Sequence, residues 1–266
     1  MLTTIDHLGK AVFDLCRSLS RFILFIYLSF RCALTLDYKG IRPILFTIVS
    51  QIYFTGFKAL PLITFIALAT GSIIVLQSTA QLTILGSQEM MGNILVVTII
   101  RELGPLLTAL IVIARSGTAV ASELGNMKLN KEVDALCAMS IEPLSFIVFP
   151  RIIGGMISLI CLAFYFNCIA LIGGYVVGSF LSDLSFTFYV DVISQAVAPS
   201  DFIMNVFKNI MGGLIIFATA SYQGLKVENG PHEVPMATTR SVVNSIMAVV
   251  AFNLSITIYV FARALS

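Results

Sequence analysis

The chain has 266 residues, 58% of them hydrophobic and only 11% charged, with a mean hydropathy of +0.98 and a formal net charge of +2. Soluble domains run at about 45–50% apolar and about 25% charged, so a water-soluble globule is excluded. A β-barrel is excluded too, because the apolar runs are long and continuous where a barrel needs short alternating strands.

The expected fold is an all-α integral membrane protein. In chain order, residues 8–30 come first: Lys10, Asp14, Arg17 and Arg21 recur at helical spacing on one face. Val12, Phe13, Leu15, Leu19, Phe22 and Ile23 fill the others. The uninterrupted apolar part, "FILFIYLSF", has nine residues and is too short to cross a bilayer, which predicts an N-terminal amphipathic interfacial helix. Residues 1–58 carry seven Lys/Arg against three Asp/Glu, a local charge of +4 that suits anionic headgroups. Residues 43–57, interrupted by Ser50 and Gln51, read as a shallow or re-entrant helix. Residues 1–58 are therefore taken as interfacial and elbow helices, and 59–266 as a single transmembrane domain.

About five spans follow, at roughly 59–82, 93–121, 145–180, 202–222 and 240–263. The third is long, with Gly173 and Gly174 as its expected soft point. Gly117 with Ala121, Gly154 with Ser158, and Gly174 with Gly178 have the four-residue spacing of close helix contacts. Segments 83–92 and 181–201 carry Glu89, Asp183, Asp191 and Asp201 without Lys or Arg, whereas 123–143 and 223–240 carry Lys128, Lys131, Lys226 and Arg240. By the positive-inside rule the N-terminus lies in the cytoplasm and, after five spans, the C-terminus outside. None of the five cysteines falls in an outer loop, so no disulfide is expected. His7 and His232 have no neighbouring ligands, so no metal site is expected, and neither is a cleavable leader.

The second span is the informative one. Arg101 and Glu102 stand about 14 Å along it, near the midplane, where charge needs protein or water to face. Pro105 has no N–H and so deprives the Arg101 carbonyl of its helical partner. These residues fit either the wall of an internal cavity or a buried ion pair that locks helices together. Gln77 and Gln81 share a face of the first span and reach the same cavity or bond across helices. Asn205, Lys208, Asn209 and Gly212 share a face of the fourth span, with Lys208 near enough to the outer surface to snorkel. Arg115 and Arg151, near inner ends, are expected to do likewise.

The inner loop "ELGNMKLNKEVDALCAMSIEP" offers Asn130 as an N-cap, Glu132 and Asp134 in a favourable first turn, and Val133, Leu136 and Cys137 as an apolar stripe, before Pro143 ends it. A short helix over about 128–140, held between two spans, can cover a bundle end or receive force from a soluble partner.

The stretch beginning "RELGPLLTALIVIARSGTAVASELG" and running to Arg151 resembles the signature region of the MlaE/YrbE family, the permease subunits of ABC transporters that work with MCE proteins. The tail around "ATTRSVV" is similar to that family's second signature. The resemblance implies a homodimeric bacterial inner-membrane permease that moves phospholipid or another hydrophobic lipid. It implies that Lys131, Glu132, Val133, Asp134, Ala135 and Leu136 form the coupling helix seated in a cytoplasmic ABC ATPase. Glu102, with Arg101, Leu103, Ile74, Leu82 and Leu85, is implied to line a lipid cavity between two copies. ATP and magnesium belong on the partner ATPase, since the chain has no G-x-x-x-x-G-K-[ST] loop. An MCE-domain protein is implied on the outer side, and no nucleic-acid partner. The chain itself is expected to catalyse nothing, as no catalytic constellation is spaced for it. A proton-coupled secondary transporter using Glu102 is the alternative.

Overall fold

In hydrocarbon every backbone N–H and C=O must find its partner inside the protein, and apolar runs meet that demand by coiling into helices. The computed structural model describes residue 17 and residues 20–32, 41–85, 90–182, 185–228 and 230–265, and among these there are helices and turns but no strand. The helices are α1 (20–32), α2 (Ile41–Thr55), α3 (Leu60–Leu85), α4 (Met91–Leu95), α5 (Gly104–Val112), α6 (Thr118–Leu129), α7 (Glu132–Ala138), α8 (Phe149–Ser182), α9 (Phe186–Ala196), α10 (Pro199–Gly224) and α11 (Glu233–Leu265). Two π-helical segments, Val96–Leu103 and Ile113–Gly117, join α4, α5 and α6 into one rod. A third, Leu144–Val148, leads into α8.

Five stretches are long and apolar enough to cross a membrane: Arg42–Ala80, Met91–Leu129, Leu144–Leu181, Pro199–Gly224 and Glu233–Arg263. The chain is an all-α integral membrane protein. Residues 43–57, expected as a shallow or re-entrant helix, are helical. They form α2, which continues through a single 3₁₀ turn, Phe57–Ala59, into α3. The interruption at Ser50 and Gln51 does not break the helix: Gln51 is buried against Gly154 of α8 and donates to Thr55 Oγ1 at 2.8 Å. The 39 residues of Arg42–Ala80 extend about 58 Å, roughly twice a hydrocarbon core, so one end of this rod projects beyond it.

α8 is the central helix, with α2 and α3 along one side and α5 and α10 on others. α10 in turn packs on α6 and α11, and α9 covers α4. Gly173 and Gly174, expected as a soft point, do not interrupt α8. They let α3 lie close, since a Cβ at Gly173 would meet Leu68 at 2.8 Å and one at Gly174 would lie 3.0 Å from the Gly71 carbonyl. At Gly71 itself a Cβ would run into the backbone of Ala170, which cannot yield. Gly71→Leu is expected to destabilise the protein by about 1–3 kcal/mol, read as a lower unfolding temperature in detergent, whereas Ser72→Ala at the more open neighbouring position should change little.

Of the expected N-terminal helix, Lys10, Asp14 and the residues before Arg17 lie outside the described residues. The described part, α1, turns Phe22, Phe25, Ile26 and Phe30 toward the bundle at helical spacing. Ile23, Leu24 and Tyr27 stay exposed on its other side.

Candidate functional site

Pro105 organises the site through what it lacks. In a π register its N–H would serve the Ile100 carbonyl, and in an α register the Arg101 carbonyl; having none, it serves neither. The chain therefore widens into the π segment Val96–Leu103 and restarts as α5 with Pro105 in its first turn. Two side chains of α10 replace the missing donor. Asn205 Nδ2 donates to the Ile100 carbonyl at 2.7 Å, and Lys208 Nζ to the Arg101 carbonyl at 2.9 Å.

The same ammonium lies 3.0 Å from Glu102 Oε1. Thr257 of α11 approaches both oxygens of that carboxylate, at 3.0 and 2.9 Å, and lies 3.3 Å from Lys208 Nζ. Lys208 is 2% exposed, so it does not snorkel as its sequence position suggested; Glu102 keeps 37% of its side chain open. Arg101 leaves the helix in another direction and sets Nε 2.7 Å from Asp201 Oδ1, a close ion pair that is not an aligned hydrogen bond. Asp201 is buried, and its other oxygen accepts the Ala198 N–H at 3.0 Å, closing the first turn of α10. Asn209 donates to the Asn205 carbonyl and side chain, which holds the amide row rigid. Neighbours on a helix diverge by about 100°, and here each of the two charged neighbours has its own counter-charge on α10.

Beside this cluster, between α10 and α11, a cleft of about 480 Å³ is lined by Met204, Phe207, Ile256, Tyr259 and Val260, with Arg101 and Arg263 among its polar residues. Of the other residues expected here, Leu103 is half-buried next to Glu102, and Ile74 packs into the main core from α3. Neither enters the ion-pair cluster. The side chains of Leu82, Leu85 and Gln81 lie outside the described residues; Gln77 is exposed on α3. Asp201 and Thr257 carried no mark in the sequence as partners. The signal for Asp201 was its spacing with Asn205, Lys208 and Asn209, which places all four on one helical face.

At the other end of the second rod stands α7. Asn130 does not cap it: α6 runs to Leu129, Asn130 closes that helix, and Lys131 turns the chain in the left-handed region at φ 58° as the N-cap of α7. Ser140, at φ 60°, turns it again beyond the helix. Val133 is buried, Leu136 half-buried and Cys137 exposed, so the apolar stripe is narrower than expected. Glu132, Asp134 and Ala135 face outward, with Lys128 bracing Asp134 at 2.8 Å. Nearby, Arg151 is buried and pairs with Glu123 at 3.0 Å instead of snorkelling. Arg115 is half-buried, its guanidinium 5.8 Å from the ring of Phe54.

Residues 48–259, which include the π segment, α7 and the α10–α11 pair, match the family described as Permease MlaE. The chain belongs to the MlaE permease family. It is 32% identical over 260 residues to a probable ABC transporter permease protein of Rickettsia prowazekii, covering 97% of this chain and 98% of that one. It is 29% identical to the intermembrane phospholipid transport system permease protein MlaE of Haemophilus influenzae, across 97% of both chains. A more distant relative, the chloroplastic protein trigalactosyldiacylglycerol 1 of Arabidopsis thaliana, is 24% identical over 81% of this chain and 62% of its own length. The paired Arg101–Glu102 step and the exposed face of α7 thus belong to an MlaE permease.

Proposed function

We propose that the chain is the membrane-spanning subunit of an ABC transporter that moves phospholipid or another hydrophobic lipid between a bacterial inner membrane and an MCE-domain protein. It works as a homodimer and takes its energy from a separate ATPase that holds ATP and magnesium. The supporting observation is the cleft beside Arg101, whose volume of about 480 Å³ falls within the roughly 300–1,000 Å³ of small-molecule sites and whose lining is mainly apolar. Affinity comes from burying acyl chain, about 0.8 kcal/mol per CH₂, while Arg101 offers a cation to the headgroup. The phospholipid transport named for the Haemophilus relative supports the same cargo.

The coupling step starts at α7. Its outward acids meet the ATPase, and the left-handed turn at Lys131 transmits the push to α6 as a packed body. The π segments above α6 depart from the regular α-helical ladder, so the rod yields there and the cleft changes shape around the lipid. Glu102 is engaged by an ammonium and a hydroxyl, which suits a fixed strut better than a proton carrier.

Filling the cleft tests the cargo. Ile256→Trp and Val260→Trp each displace acyl chain; excluding two methylenes lowers lipid occupancy roughly tenfold. Mass spectrometry of lipids retained by the purified complex measures it. Unchanged retention in both variants, with folding intact, would sink the lipid reading. Transport that follows a pH gradient without ATP would favour the proton-coupled alternative.

A further inference from the structure

A second cavity, of about 190 Å³, lies at the α7 end of the bundle between the close of α10 and the first two turns of α11. Glu233, Ala237 and Arg240 line it from α11 at positions i, i+4 and i+7, and Gln223 and Lys226 line it from the end of α10. Its floor is firm: Val227 and Ala237 are buried in a small core with Val234.

The charges in this cavity are not balanced. Arg240 is exposed and has no ion pair or hydrogen bond among the described residues. Lys226 rests its ammonium 4.2 Å from the ring centroid of Tyr222, on an aromatic face. Glu233 is the acid among the lining residues, with its Oε2 accepting the Glu228 N–H at 3.0 Å, and its one negative charge stands against the two cations. A guanidinium fork with an ammonium beside it suits the oxygens of a phosphate.

The depth of the cavity narrows the source of that phosphate. Tyr222, which carries Lys226 on its face, also packs edge-on against Phe22 and Phe25 of α1, with ring centroids 5.6 and 5.4 Å apart. α1 turns Ile23, Leu24 and Tyr27 outward, as a helix lying in the interface does, so the cavity opens at headgroup level. We propose that Arg240 and Lys226 bind the phosphate of an anionic phospholipid headgroup at this end of the bundle. The site is separate from the cleft at Arg101 and stands whether or not that cleft carries cargo.

The test uses the full chain in nanodiscs of phosphatidylcholine with a minor fraction of phosphatidylglycerol. Phosphatidylglycerol retained by the protein is read by native mass spectrometry. K226Q with R240Q is expected to lower that retention about tenfold, and R240K to restore part of it. On the unaltered protein, phosphatidylglycerol should slow phenylglyoxal modification of Arg240, a readout that needs no variant to fold. Equal retention by wild type and the double variant, or modification of Arg240 at one rate in both lipid mixtures, would overturn the proposal. Protection of Arg240 by inorganic phosphate in discs of phosphatidylcholine alone, matching that by phosphatidylglycerol, would assign the site to free phosphate and overturn the lipid assignment.

Discussion

Replacing Lys208 with methionine is expected to produce the largest loss of stability of any single change at the ion-pair cluster. The ammonium is 2% exposed and serves Glu102 and the Arg101 carbonyl together, with Thr257 close by. Removing one member of a buried pair costs about 3–5 kcal/mol, and because Glu102 keeps 37% of its side chain open, a loss near the lower bound, about 3 kcal/mol, is expected. Thermal unfolding in detergent and yield of folded protein both report it. Adding Glu102→Gln to the methionine variant should recover a good part of the loss, because the orphaned charge is then gone while the uncapped carbonyl remains. Additive losses would show that the two side chains do not act on each other. Glu102→Gln alone should also lower stability, because it leaves the Lys208 ammonium, 2% exposed, without its counter-charge.

The second large effect concerns α7. Glu132 and Asp134 face outward from a seven-residue helix held by Val133, and Asp134 is drawn toward Lys128. Reversing both acids to lysine inverts the exposed charge and sets four cations together there, counting Lys128 and Lys131. Loss of the partner ATPase on co-purification by at least tenfold is expected, and ATP-driven lipid movement should fall with it, since a charge reversal at a docking surface costs on the order of 1.4 kcal/mol or more. Stability should hardly move, because neither acid is buried. Full retention of the ATPase by a well-folded double variant would remove α7 from the coupling path.

The two effects act at opposite ends of one rod, and the rod explains how they can communicate. α10 packs on α6, so the bundle end that carries α7 and the end that carries Asp201 and Lys208 share a helix. Gly224 seals the near end of that contact, where a Cβ would approach the Ala121 carbonyl to 2.7 Å. In the proposed coupling, this close contact is what would carry a movement of α6 to α10.

Much of this protein was legible in its residues taken one after another. Apolar length alone predicts helices and five spans, because the bilayer leaves the backbone no other partner. Pro105 marks a freed carbonyl by its own covalent structure, and the stripe of Val133, Leu136 and Cys137 marks a short amphipathic helix, although of the three only Val133 is fully buried. What the order of residues does not state is which distant group meets a polar side chain. Lys208 reads as a snorkelling cation by depth, Arg151 as another, and Asp201 as one more loop acid. Packing of α10 against the π segment turned the first into the strut under Glu102 and the third into the partner of Arg101, while α6 brought Glu123 to Arg151. Lengths and local patterns follow from the covalent chain and its solvent; the pairing of charges follows from which helices touch. In hydrocarbon an unpaired charge costs several kcal/mol, so that choice decides where the functional cluster stands.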